Sequence, residues 1–231
     1  AVGAAAGAAA AIMGPPSRAG PLGTVMACVL TRPELLTTAE IALLLGWRSR
    51  GGGICRDPFD SEVINATQSG EFEFVMACHA LEEFPTPSTL PSHVSIIPQD
   101  RPVIDCMTIR TFSWMHDCVA ADRILSLGLR PLIYTPPPTA EGIPELRKMK
   151  ASIAATGFRD AERFDVIRLV KLSGAEYTGF LTQRHSHLIC GDRSSSKYQQ
   201  AIKWGVKVVS LKWLQMCVSQ WTHAQESDFP V

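Results

Sequence analysis

Between Lys150 and Gln220 the sequence alternates strand-like and helix-like stretches, with punctuation at nearly every boundary. That alternation restricts the fold more than any other feature of the chain. Ala151–Ala155 is a short run of small and apolar residues closed by Thr156-Gly157. Asp160 stands where it can cap a helix, and Glu162 falls in the first turn, where negative charge favours the helix dipole. Phe164, Ile167 and Val170 recur in steps of three, and Val166 and Leu169 widen that apolar face. Gly174 stops the helix. Tyr177–Thr182 and His187–Cys190 read as strands. Ser194 to Ser196 offer caps for a helix that opens with Lys197, runs through Trp204 and ends at Gly205. Val206–Val209 is apolar at every position but Lys207 and reads as a short strand. Ser210 caps a last helix carrying Leu211, Leu214 and Cys217, with Trp213 beside them. Strands alternating with helices predict an α/β unit around a mostly parallel sheet.

The earlier part of the chain repeats this order in blurred form. Thr24–Leu30 reads as a strand and Thr38–Trp47 as a helix, followed by Gly51-Gly52-Gly53. Glu62–Ala66 reads as a strand and Phe72–Leu81 as a helix. Pro102–Thr108 resembles the strand before Ser210, and Phe112–Leu125 reads as a helix containing Trp114. Trp114 with Asp117-Cys118-Val119 echoes Trp213 with Met216-Cys217-Val218. Two tryptophan helices closing two similar units predict a tandem repeat.

Composition enters where it bears on partners. Formal net charge is zero, yet residues 150–220 hold 11 Lys+Arg against 5 Asp+Glu, a local excess of +6. Such a half suits an anionic partner, a phosphopeptide or a nucleic acid, although a merely solvated surface gives the same balance. The seven cysteines are scattered, none in a C-x-x-C pair, which argues against a disulfide framework or a zinc site. No apolar run approaches the roughly 20 residues that span a bilayer.

The expected organisation is an Ala/Gly-rich low-complexity tail over 1–21 and a first repeat over 22–128 with a proline-rich insertion near 82–101. A proline-rich linker over 129–147 follows, then a second repeat over 148–222 and a tail over 223–231. Pro136-Pro137-Pro138 favours an extended segment and marks the linker.

Taken together, the Thr156-Gly157-Phe158 turn, Leu172-Ser-Gly-Ala-Glu-Tyr, Ser186-His187-Leu188-Ile189, Lys197-Tyr198-Gln-Gln-Ala, Val208-Val209-Ser210 and Trp213-Leu214-Gln-Met-Cys217 resemble the BRCT repeat. The family usually has Thr where Ser186 stands. In the first unit the resemblance is good over Val103–Ile124 and loose before it. The pair is similar to the N-terminal tandem repeats of multi-BRCT scaffolds of the DNA-damage response, the topoisomerase-II-binding scaffold and its plant relatives. The resemblance implies two repeats, each a four-stranded parallel sheet flanked by three helices, without catalytic activity or cofactor. It also implies phosphoserine or phosphothreonine binding. The hydroxyl and glycine amide of the first turn and a lysine of the second helix hold the phosphate; here they are Thr156, Gly157 and Lys197. Arg163 matches a further basic residue that some scaffold repeats use.

Phosphate chemistry agrees with that set. A phosphate carries between one and two negative charges at neutral pH and several acceptor oxygens, which a hydroxyl, an amide and one or two cations can satisfy. Each residue also has a plainer reading. Thr156 and Gly157 can simply shape the turn, and Lys197 and Arg163 can be solvated surface charges. Trp114 and Trp213 are expected in the core, and His187 is expected to pack and hydrogen-bond within its sheet, with no metal anywhere. The first repeat has Leu30-Thr31-Arg32-Pro33 in place of a Thr-Gly pair, and its expected second helix over Phe72–Leu81 has no lysine, so a structural role is expected for it. The functional expectation is a nuclear scaffold module that docks a phosphorylated protein through its second repeat. The alternative is a DNA or DNA-end binder using the basic surface. An enzyme of the nucleotide-binding class is disfavoured, because neither G-x-G-x-x-G nor a P-loop occurs.

Overall fold

A computed structural model describes residues 13–17, 19–29, 36–55, 73–79 and 107–231. The chain divides into two compact units, residues 1–136 and 137–231.

In the second unit, a short helix α4 (Pro144–Lys148) leads into β5 (Ser152–Thr156), α5 (Asp160–Leu172), β6 (Glu176–Thr178), β7 (His187–Cys190), α6 (Ser196–Trp204), β8 (Lys207–Val209) and α7 (Leu211–Gln220). The four strands form a wholly parallel sheet in the order β6-β5-β7-β8. Parallel neighbours need crossover connections, and α5, α6 and α7 supply the covering helices. Ile153, Ala154, Leu188 and Ile189 on the two central strands are fully buried, which explains their near-continuous apolar sequence. Trp213 and Leu214 of α7 are equally buried.

The first unit contains β1 (Val25–Val29), α1 (Thr38–Ser49), β2 (Gly53–Cys55), β3 (Glu73–Cys78), β4 (Met107–Thr111), α2 (Phe112–Ala121) and α3 (Pro131–Tyr134). Its strands run parallel in the order β2-β1-β3-β4, the same topology as the second sheet. Thr37 and Glu40 close a capping box at the start of α1. Trp47 and Trp114 lie 5.8 Å apart and are buried at the heart of this unit. The repeated topology and the two parallel sheets expected from the sequence are both present.

Four local expectations change. Residues 73–78, read within a helix over Phe72–Leu81, form β3. This strand lies between β1 and β4, with Val75, Ala77 and Cys78 all buried, so both of its faces are covered. A strand of that kind lacks the alternation that separates it from a helix in sequence. In α5 the N-cap is Arg159, and its side chain makes no cap bond; Asp160 is the first helical residue. The buried stripe of α5 is Val166, Leu169 and Val170, whereas Phe164 is 66% exposed. Helix α2 ends at Ala121, where Asp122 takes a left-handed conformation, and Leu125 lies beyond it. The expected strand Glu62–Ala66, the turn at Thr31 and the insertion near 82–101 lie outside the described residues.

Residues 129–147, read as a linker, hold α3 and most of α4. In this stretch Ile133, Tyr134, Ile143 and Leu146 are buried. Residues 223–231, read as a tail, pack back on their own unit: Ser210 N donates to Phe229 O at 3.0 Å, and a one-turn 3-10 helix covers Glu226–Asp228. Among the described residues no helix is long and apolar enough to cross a membrane, and the described cysteines are free thiols.

Candidate functional site

The site expected from sequence gathers at the C-terminal edge of the second sheet. There β5 ends in Thr156 and the chain turns at Gly157, whose φ is +83°. The turn presses against the loop after β7. Gly191 N donates to Thr156 O at 2.9 Å, and a Cβ on Gly157 would lie 2.4 Å from Asp192 N. Residue 157 therefore has two independent reasons to be glycine, its left-handed φ and the lack of room for a side chain. The facing loop is held by its own bonds. Asp192 accepts from Ser194 N and from the Ser194 hydroxyl, and these bonds hold its carboxylate below the usual range, with Arg159 adding to the effect.

Lys197 is the second residue of α6. Ser195 is the cap, its hydroxyl accepting from Tyr198 N. The Lys197 ammonium reaches back over the sheet edge and donates to Ala155 O at 3.2 Å and Gly179 O at 2.7 Å. Its nitrogen thus rests beside the residue that precedes Thr156. An ammonium has three donors, so one remains for a ligand beyond these two carbonyls. Burial lowers the Lys197 pKa, and repulsion from the Arg163 guanidinium lowers it further. Arg163 comes from α5 and donates to the Tyr177 hydroxyl at 3.3 Å. Two like charges from two helices are therefore close enough to oppose each other. The Thr156 hydroxyl has no hydrogen-bond partner among the described residues.

Three parts of this arrangement have no sequence signal. The Gly179 carbonyl that seats Lys197 is backbone, Tyr177 steers Arg163 across a long separation, and Arg159 acts on Asp192 only through the folded turn. Trp114 and Trp213 are 1% and 0% exposed, as expected of core residues. His187 is fully buried and stacks on Trp213 with ring centres 4.5 Å apart. For the first unit, the lysine-free helix expected over Phe72–Leu81 is not there, since those described residues are β3. The absence of lysine extends beyond that stretch, since residues 1–147 contain none.

With this geometry in hand, the chain can be compared with known proteins. The fold is that of a tandem pair of BRCT repeats. It is similar to yeast Rtt107 at 18% identity and a TM-score of 0.61, over 88% of this chain and 43% of that chain. It is likewise similar to the third and fourth BRCT repeats of Rad4 from S. pombe, at 18% identity and a TM-score of 0.55, over 90% of this chain and 97% of that chain. Residues 151–213 match the family model described as twin BRCT domain. By sequence the chain is 40% identical over 62 residues to PAX-interacting protein 1 of Danio rerio, which is 27% of this chain and 7% of that protein. It is 31% identical over 71 residues to the S-M checkpoint control protein rad4 of Schizosaccharomyces pombe, which is 31% of this chain and 11% of that protein. The chain thus matches only a small part of the length of these relatives.

Proposed function

We propose that the second repeat docks a phosphorylated protein, with Thr156, Gly157, Lys197 and Arg163 holding the phosphate. The observation that carries this reading is the Lys197 ammonium bound to Ala155 O at 3.2 Å, just before the Thr156-Gly157 turn, with Arg163 near enough to depress its pKa. Two cations held against each other gain from an anion between them, and charge-assisted bonds are about twice as strong as neutral ones. The N-terminus of the nine-residue α6 adds a favourable dipole at the same place. The module works by binding and has no catalytic step. Its setting is a nuclear scaffold of the DNA-damage response or of replication control, in keeping with a sequence relative named for checkpoint control. The first repeat, without lysine, serves as a structural neighbour.

The test is a phosphopeptide-library selection on the wild-type chain and on a Thr156→Ala, Lys197→Glu double variant, followed by anisotropy on the best peptide. Phosphorylation-dependent binding should vanish in the double variant while its far-UV circular dichroism is unchanged. Equal binding by both chains would remove these residues from the pocket. The +6 balance of residues 150–220 supports a second reading, contact with DNA backbone phosphates. Binding that is indifferent to peptide phosphorylation, coupled with steeply salt-dependent DNA binding, would favour that reading instead.

A further inference from the structure

At the start of β7 a polar cluster gathers around His187, which stacks on Trp213. His187 Nε2 lies 3.1 Å from Glu226 Oε1, and His223 Nε2 lies 3.2 Å from the same oxygen. The three donor atoms fall within 4.8 Å of one another. His187 is fully buried, and the side chains of His223 and Glu226 are 19% and 15% exposed. We propose that His187, His223 and Glu226 form a binding site for a divalent transition-metal cation of the zinc type.

The hydrogen bonds behind His187 define which ring nitrogen faces the cluster. Ser152 N donates to Ser186 Oγ at 3.1 Å, and the Ser186 hydroxyl donates to Ser152 O at 3.0 Å. A serine hydroxyl has one proton, and here it is already committed. With the hydroxyl proton directed to Ser152 O, His187 Nδ1, 2.9 Å from Ser186 Oγ, can act as the donor there. In a neutral imidazole this leaves a lone pair on Nε2, pointed at the Glu226 carboxylate. His223 Nε2 is buried and has no hydrogen-bond partner among the described residues. The three atoms face one another, and with both imidazoles unprotonated at Nε2 a cation satisfies all of them at once. Metal-ligating histidines characteristically donate their other nitrogen to an oxygen, as His187 does to Ser186.

The spacing fits. Zinc–nitrogen and zinc–oxygen bonds of about 2.0–2.1 Å in a tetrahedron place ligand atoms about 3.3 Å apart, close to the two histidine–carboxylate separations here. Two histidines and a carboxylate leave the fourth position open. Lys207 is the competing charge: its ammonium also contacts Glu226 Oε1, but its side chain is 55% exposed and can turn to solvent.

The first repeat shows that the fold does not require this cluster. In the β3–β4 register Val75 is paired with Thr108 as His187 is paired with Lys207 in β7–β8. Ile124 and Leu127 stand in the positions of His223 and Glu226, since each precedes or follows the carbonyl that accepts from the helix tryptophan by the same number of residues. The same frame is filled there by apolar side chains, so the polar set in the second repeat calls for a ligand rather than for packing alone.

The test is calorimetric titration of the full 231-residue chain with Zn²⁺ under reducing conditions, with Co²⁺ absorption as the reporter of ligand type. One equivalent should bind with a nitrogen- and oxygen-type tetrahedral Co²⁺ spectrum. His223→Ala and Glu226→Gln should each weaken binding at least about tenfold with unchanged circular dichroism. If those variants do not fold, Lys207→Met decides: it removes the competing ammonium and should tighten binding. Absence of binding, a thiolate charge-transfer band, affinity unchanged in a folded His223→Ala chain, or affinity unchanged in Lys207→Met would each overturn the proposal.

Discussion

Helices α2 and α7 close the two repeats with the same set of bonds and different surroundings. Trp114 Nε1 donates to Leu125 O at 2.8 Å, and Trp213 Nε1 donates to Ala224 O at 2.9 Å. Leu125 N meets Cys118 Sγ at 3.3 Å, and Ala224 N meets Cys217 Sγ at the same distance. Each helix ends on a left-handed residue, Asp122 or Trp221, whose N–H returns to the carbonyl of the cysteine. Around this common frame the partners differ. Trp114 packs on Trp47 in the first repeat, while Trp213 stacks on the buried His187 in the second. The backbone and the tryptophan hold the architecture, and the positions around them are open to specialise. The second repeat sets His187 against its tryptophan, whereas the first holds Trp47 and, 5.6 Å from the ring centre, the buried Arg110 guanidinium.

The most severe way to break the comparison is to remove the tryptophans. Trp114→Ala and Trp213→Ala should each cost their repeat about 3–5 kcal/mol in chemical denaturation, because each empties a fully buried site and orphans a carbonyl. A large inequality between them would show that the shared bonds do not carry equal weight. Next in size is Lys197→Met. If the second repeat alone holds the phosphate, anisotropy should show affinity for the selected phosphopeptide falling about 10–100-fold, the loss of one charge-assisted contact. Retention of phosphate-dependent binding would direct attention to the first repeat.

Acid offers a third comparison, probed through Glu40 of the first repeat. Burial raises the Glu40 pKa, but bonds from His79 and from the Thr37 amide and hydroxyl outweigh it and hold the carboxylate at about 2. A depressed carboxylate stabilises the fold above its unfolded pKa, and that contribution fades as pH falls from about 4.5 toward 2. Glu40→Gln should therefore flatten the acid limb of stability against pH, measured by thermal unfolding, and bring the wild-type and variant curves together near pH 2. The smallest expected difference lies at the two caps. The Thr111 hydroxyl accepts from Trp114 N and donates to Ile133 O, whereas Ser210 makes no cap bond. Thr111→Ala should cost about 1 kcal/mol by denaturation, and Ser210→Ala about half that or less.

The sequence displays those features that depend on local spacing. Trp213 and Cys217 announce a helix face, Gly205 a helix end, and Thr156-Gly157 a turn, because each acts on its immediate neighbours. β3 was hidden because burial on both faces erases alternation, and Met76 and Ala77 are at home in a helix. Phe164 looked like a core residue through its three-residue rhythm, yet the helix is turned so that Val166 faces inward. Of the proposed phosphate set, the seat of Lys197 has no sequence signal: it is held by two carbonyls, and backbone acceptors leave no mark in sequence. The cluster of His187, His223 and Glu226 was invisible for a related reason. Its members are brought together by the return of 223–231 to the sheet, a segment that reads as a polar tail.

The approach to the second repeat defines where that repeat can be cut. Gly142 lies so close to the end of α5 that a Cβ there would sit 2.4 Å from Gly174 Cα, and Ile143 N donates to Ser173 O at 2.9 Å. Behind this seam Ile143 and Leu146 are fully buried. A fragment begun at the first strand would lose both side chains and forfeit about 1.5–3 kcal/mol for each. The heritable unit, the piece that can be duplicated, transplanted or expressed and still fold, therefore begins upstream of Gly142, within the prolines and not after them.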